Sequence, residues 1–158
     1  MSSVDEMWFS ADELELYLLK QGDLILSEGG EVGKTCIWNN ELDECYIQNS
    51  AHKVTINKDN NNRYFLYLFN AYSEGFNSIV HKISIAHLTK EKLMNVSVII
   101  PPLQEQNAIV EYLDKKTYQV DALISIKQQK IIELKEYKKS LIYEYVTGKK
   151  EPPKGVYK

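Results

Sequence analysis

The stretch Pro101-Pro102-Leu103-Gln104-Glu105-Gln106, running on to Val146-Thr147-Gly148-Lys149, decides how this chain of 158 residues is built. Two adjacent prolines stop an extended segment, and no further Gly or Pro occurs before Gly148. A proline-marked start and a glycine stop predict one long helix, or two in series. At a rise of ~1.5 Å per residue, Thr117 to Val146 alone would reach roughly 45 Å. A chain this short cannot cover the whole apolar stripe of such a helix with its own globular part. The helix asks for a partner.

Inside the helix the apolar residues form two interlocked seven-residue series. Val120, Lys127, Leu134 and Leu141 make one; Ile124, Ile131, Lys138 and Tyr145 make the other. Their alternating spacing of four and three is the seam of a coiled coil. The expected pairing residues are therefore Val120, Ile124, Ile131, Leu134, Leu141 and Tyr145. Lys127 and Lys138 interrupt the seam, which costs stability and can fix register or orientation. Leu123, Ile126, Ile132, Tyr137 and Ile142 widen the stripe, as a bundle of more than two helices would need. The alternative is an amphipathic helix folded back on its own domain.

The first hundred residues read as short strands and small helices. Ser10 and Glu13 form a capping box that opens a helix over about 11–20, with Leu14 and Leu18 inward. Leu24 to Ser27 and Lys34 to Trp38 read as two strands around a glycine turn. Tyr46 to Gln48 and Ala51 to Ile56 read as further strands. A helix is predicted from Arg63 to about Ser73, stopped by Gly75, with 76–85 extended. Thr89 caps a one-turn helix, and the β-branched run Val96 to Ile100 reads as a buried strand. The fold class is α+β, a small mixed domain followed by a long C-terminal helix in a coiled coil or bundle. The domains expected are 1–102, the long helix 103–148, and a flexible tail 149–158.

Composition narrows the functions. The hydrophobic fraction of 44% supports a packed core. No apolar run is long enough to span a bilayer, and the acidic N-terminus has no apolar signal core, so a cytoplasmic protein is expected. Cys36 and Cys45 have no CxxC spacing and read as reduced thiols. Charge is uneven: residues 1–100 hold 8 basic and 14 acidic side chains, residues 101–158 hold 11 basic and 8 acidic. An acidic globular part is not the usual footprint of a nucleic-acid binder. DNA contact there must come from a local patch or from hydrogen bonding.

Gly29-Gly30-Glu31-Val32-Gly33-Lys34-Thr35 tempts a phosphate-loop reading. That pattern needs a glycine where Glu28 stands, and a carboxylate beside phosphates repels them. The better reading is a tight hairpin whose glycines adopt positive φ. Its exposed Lys34 and Thr35 could touch a nucleic-acid backbone. Two polar clusters offer further contacts: Gln48, Asn49 and Ser50, and Asn77, His81 and Lys82. Asn and Gln can pair with adenine, and Lys can reach phosphate. Ordinary loop chemistry explains the same residues. His52, His81 and His87 lack metal-ligand spacing, and no catalytic site or cofactor is implied.

Together, 19–27, Gly30-Glu31-Val32-Gly33-Lys34, Ile100-Pro101-Pro102-Leu103-Gln104-Glu105-Gln106, 120–124 and Val146-Thr147-Gly148 resemble the specificity subunit of type I restriction-modification systems. The resemblance covers nearly the whole chain. It implies a non-catalytic component that reads DNA. In that family two target recognition domains each precede a long helix, the helices pair antiparallel, and methyltransferase subunits dock on them. Each domain reads half of a bipartite site. A full recognition domain is longer than residues 1–102, so the chain is expected to lack its N-terminal part and the other half of a subunit. Two readings follow. One is a half-subunit that homodimerises through 117–146 and binds DNA and methyltransferase subunits. The other is a truncated interaction protein that binds itself or methyltransferase subunits without reading DNA.

Overall fold

A computed structural model of the chain describes residues 10–80, 87–153 and 155. The chain divides into two compact units, Met1–Val110 and Glu111–Lys158. The elements in order are α1 (Ala11–Tyr17), β1 (Leu24–Ser27), β2 (Thr35–Ile37), β3 (Ala51–Val54), α2 (Asn62–Val80), α3 (Lys90–Met94) and α4 (Leu103–Val146). Small mixed unit and long C-terminal helix match the α+β class expected.

The first unit is organised around β1. Its Leu24 and Leu26 point to one face and are fully buried, while Ile25 and Ser27 on the other face are half-buried. That alternation is the period of a strand covered on one side. β2 and β3 flank β1 antiparallel, with Leu26 opposite Thr35 and His52. Tyr64, Phe65 and Phe69 of α2 complete the core with Val32, Leu88 and Val110. The α2 start is capped by Asn61, whose Oδ1 accepts from the amides of Arg63 (2.8 Å) and Tyr64 (3.3 Å).

Several expectations need correction. α1 ends at Tyr17, because Leu18 and Leu19 leave the helix to pair with Tyr46 and Cys45; Leu14 is exposed. Of the strand expected over 46–48, only the Leu18–Tyr46 bridge forms. α2 runs through Gly75 to Val80, so the residues from 76 to 80 are helical. One glycine costs a helix about 1 kcal/mol, which the packed aromatic face upstream can absorb. The rest of the segment expected to be extended, 81–85, lies outside the described residues. Val96 to Ile100 forms no strand: Ile99 and Ile100 are exposed, and Val96 and Val98 half-buried. β-branched residues favour a strand only where a neighbouring strand is at hand. Here the Tyr64 hydroxyl donates to the Ile99 carbonyl at 2.9 Å instead.

The long helix is single and unbroken. Pro102 stands just before its first turn, and the Pro102 carbonyl accepts from the amides of Glu105 (2.9 Å) and Gln106 (3.0 Å). At the other end Gly148 adopts φ 71°, the left-handed turn a glycine stop requires. The units divide at Val110, two turns into α4, because Gln106 and Val110 are buried in the first unit. Beyond Val146 the first tail residues are held: Lys150 pairs with Glu144 at 2.6 Å, and the Lys149 ammonium sits over the Tyr143 ring.

Candidate nucleic-acid interface and helix-pairing surface

In the first unit, a cleft of about 560 Å³ runs along β3. Its floor is apolar, with Ile47, Val54, Phe69 and Leu93; Gln48, Asn49, His52 and Lys90 stand among its polar lining. Gln48 and Asn49 are exposed, as is Ser50 at the turn beside them, whose carbonyl accepts from the Glu28 amide at 3.0 Å. The loop after β1 is thereby tied to the turn before β3. The Leu88 amide donates to the Glu28 carbonyl at 2.8 Å, and His52 Nε2 bonds the Leu88 carbonyl. A carbonyl can only accept, so Nε2 is the donor in that last bond.

Of the eight candidate DNA contacts, the consecutive Gln48, Asn49 and Ser50 are exposed, and Gln48 and Asn49 line the cleft. Lys34 is exposed on the neighbouring loop, where it pairs with Glu31 at 2.6 Å. An exposed pair of this kind holds by under about 1 kcal/mol, so a phosphate could displace the carboxylate. Thr35 is a correction. It is buried, and its hydroxyl donates to the Gly33 carbonyl at 2.9 Å. Its amide donates to Asn70 Oδ1 (3.0 Å), and its carbonyl accepts from Asn70 Nδ2 (3.1 Å). The Asn70 side chain thus acts as a strand partner on the open edge of β2. Thr35 holds the fold and is closed to a nucleic acid. Thr35 also starts a strand, where a phosphate loop would need a helix. The Asn77 side chain, His81 and Lys82 lie outside the described residues.

Lys90 is a cleft residue that sequence reasoning missed, since nothing in its one-turn helix distinguishes it. Lys53, also in the cleft, is already engaged: its ammonium donates to the carbonyls of Leu16 (2.6 Å) and Leu18 (3.0 Å) at the end of α1. The loop contains positive-φ glycines, Gly30 and Gly33, as expected, but spans seven residues from Glu28 to Lys34 and is no tight turn. Among the described residues no group of His, Cys, Asp and Glu could hold a metal ion. None of their helices is long and apolar enough to cross a membrane.

The second unit carries the seam. Every residue from Lys115 to Ser140 is exposed. Val120 is 52% exposed, Ile124 45%, Ile131 52% and Leu134 54%. Leu141 is half-buried and Tyr145 marginally exposed. Within the second unit, no described residue covers the stripe over 115–140. The residues that widen the stripe, Leu123, Ile126, Ile132, Tyr137 and Ile142, are as bare as the seam itself. Exposed apolar side chains recur along this face, interrupted at Lys127 and Lys138, and large exposed apolar patches are the kind that mark interaction sites.

Residues 9–136 match the family described as the type I restriction modification DNA specificity domain. The type I restriction enzyme EcoBI specificity subunit of Escherichia coli is 27% identical over 143 residues, covering 90% of this chain and 30% of that protein. A putative type I restriction enzyme specificity subunit of Haemophilus influenzae is 35% identical over 96 residues, 61% of this chain and 24% of that protein. Two solved structures are similar. A chain from a study of complex assembly and conformational transition in the type I R-M system aligns with TM-score 0.71 and 26% identity, covering 81% of this chain and 31% of its own. The HsdS subunit of Thermoanaerobacter tengcongensis aligns with TM-score 0.61 and 27% identity, covering 80% and 30%. The chain spans between 24% and 31% of the length of these relatives.

Proposed function

We propose, because this chain belongs to the family of type I restriction modification DNA specificity domains, that it serves as a non-catalytic DNA-reading half-subunit. The family match over residues 9–136 carries this reading, since it takes in the small α+β unit and most of the α4 seam. Two copies pair through α4. Each brings one recognition unit to one half of a bipartite DNA site, and methyltransferase subunits dock on the paired helices. Catalysis belongs to those partners, and the complex works where the cell's DNA lies, in the cytoplasm. Gln48, Asn49 and Ser50 reach base edges or phosphates, and Lys34 and Lys90 neutralise phosphate charge. The bare stripe from Val120 to Tyr145 supports the pairing.

A second reading is favoured by a specific observation. The first hundred residues hold 14 acidic against 8 basic side chains, and Thr35 is buried. In this reading the chain keeps α4, binds itself or methyltransferase subunits, and does not read DNA. Footprinting separates the two. The chain is combined with methyltransferase subunits and challenged with random-sequence DNA over a salt series. Protection of one sequence that survives moderate salt supports the half-subunit. Absence of protection even at low salt leaves the interaction protein.

A further inference from the structure

We infer that the partner on α4 is a second copy in one antiparallel register, with the two-fold axis crossing at the height of Gln129. Residues equally far before and after 129 then lie level. The inference rests on the self-pairing proposed above and on the antiparallel orientation that the family resemblance implies, and adds the register.

The two seam lysines discriminate first. With the axis at 129, Lys127 lies level with the partner's Ile131, and Lys138 with the partner's Val120. Ile124 meets the partner's Leu134. Each lysine faces an apolar side chain, along which its stem can lie while its ammonium reaches solvent. An axis half a heptad later sets Lys127 against the partner's Lys138, twice over. A parallel in-register pair sets Lys127 against the partner's Lys127, and Lys138 likewise. Both arrangements bring like charges together in the seam.

The flanks agree. Within two residues of level, Lys116 meets the partner's Glu144, where it joins that chain's own Lys150 at 2.6 Å from the carboxylate, and Asp121 meets the partner's Lys135. Symmetry doubles both ion pairs. Leu123 meets the partner's Tyr137, which employs two of the residues that widen the stripe. The later axis loses both ion pairs and turns Asp121 toward the partner's Ile142. Lys130 approaches the partner's Lys130 near the axis, but each already pairs with its own Glu133 at 3.0 Å.

Helix length gives the third argument. Mirroring Val146 about 129 reaches Tyr112, so the overlap covers 112–146, almost the whole helical part of the second unit. An axis half a heptad earlier would seat Leu141 on the partner's Val110 and Tyr145 on the partner's Gln106. Both of those residues are buried in the first unit.

Spin labels at Lys115→Cys or Tyr143→Cys test this in the full chain carrying Cys36→Ser and Cys45→Ser. Both labelled positions lie on the outer face, equally far from 129. Electron-spin distances should be equal, each about 42 Å along the axis. An axis half a heptad away makes them unequal by roughly 20 Å, and a parallel pair makes both about 20–25 Å, two helix widths. Either result overturns the register while leaving the dimer. A sample that stays monomeric overturns the self-pairing itself. As a second measurement, Asp121→Lys should weaken the dimer several-fold at low salt, and adding Lys135→Asp in the same chain should restore it. A double variant no tighter than the single one contradicts the register.

Discussion

Gln106 is a fully buried polar side chain in α4, and every hydrogen bond it makes is long-range or at the helix start. Its Oε1 accepts from the Asn61 amide at 2.9 Å; its Nε2 donates to Asn60 Oδ1 and to the Pro101 carbonyl, both at 2.8 Å. It fastens the first turn of α4 to the loop that caps α2. Gln106→Leu keeps the volume but strands the Asn61 amide and the Pro101 carbonyl, at a cost of about 1–3 kcal/mol. For a unit of this size each kcal/mol lowers the melting temperature by roughly 4–8 °C, so thermal unfolding should show a clear fall. An unchanged melt would deny the role. Glu13 gives a pH test. The Ser10 amide, and then the Ser10 hydroxyl, hold its carboxyl below the ordinary carboxylate range. A lowered folded value means support for α1 that is present above the unfolded value and lost as pH falls through the folded one. Backbone NMR shifts of Ala11–Tyr17 should drift toward coil in that acid window; a flat profile contradicts it. At this scale the sequence was a partial guide. The capping box and the positive-φ glycines of the 28–34 loop were legible as local patterns, though not the length of that loop. Thr35 was not, because its burial depends on Asn70, 35 residues away.

Among the elements, α4 was legible almost to the residue, because proline, glycine and a heptad period are all local signals. Gly75 and the run Val96 to Ile100 misled for the converse reason. Whether a glycine ends a helix, or β-branched residues become a strand, is settled by what lies alongside, and no local pattern records that. The seam supplies the sharpest element-scale prediction. Leu134→Glu puts a charge opposite the partner's Ile124, at two places in one dimer. Association should weaken by at least ~100-fold, as an uncompensated buried charge demands, while the melting of the first unit stays unchanged. Equal association of variant and wild type would place the interface elsewhere.

For the whole molecule, two-fold symmetry would connect the helix to the DNA in the proposed dimer. One chain brings one recognition unit, so a pair would read two identical half-sites in inverted orientation. Methylation mapping with the docked methyltransferase subunits should return such a symmetric bipartite motif with fixed spacing; a single unpaired motif would break the link. The salt dependence of DNA binding should be shallow. Few lysines line the cleft, and each phosphate neutralised adds only about −0.9 to the slope of log affinity against log salt. Class and architecture were legible in the sequence because they follow from composition, period and motif. The candidate site was legible only in part: Gln48, Asn49 and Ser50 are neighbours in the sequence itself, whereas Lys90 comes to the same cleft only through the fold. The most direct test of self-pairing through α4 is the solution mass of the full chain over a concentration series. Self-pairing gives twice 18.3 kDa for the wild type and 18.3 kDa for Leu134→Glu. A wild-type chain that stays at 18.3 kDa at the highest concentration would contradict it.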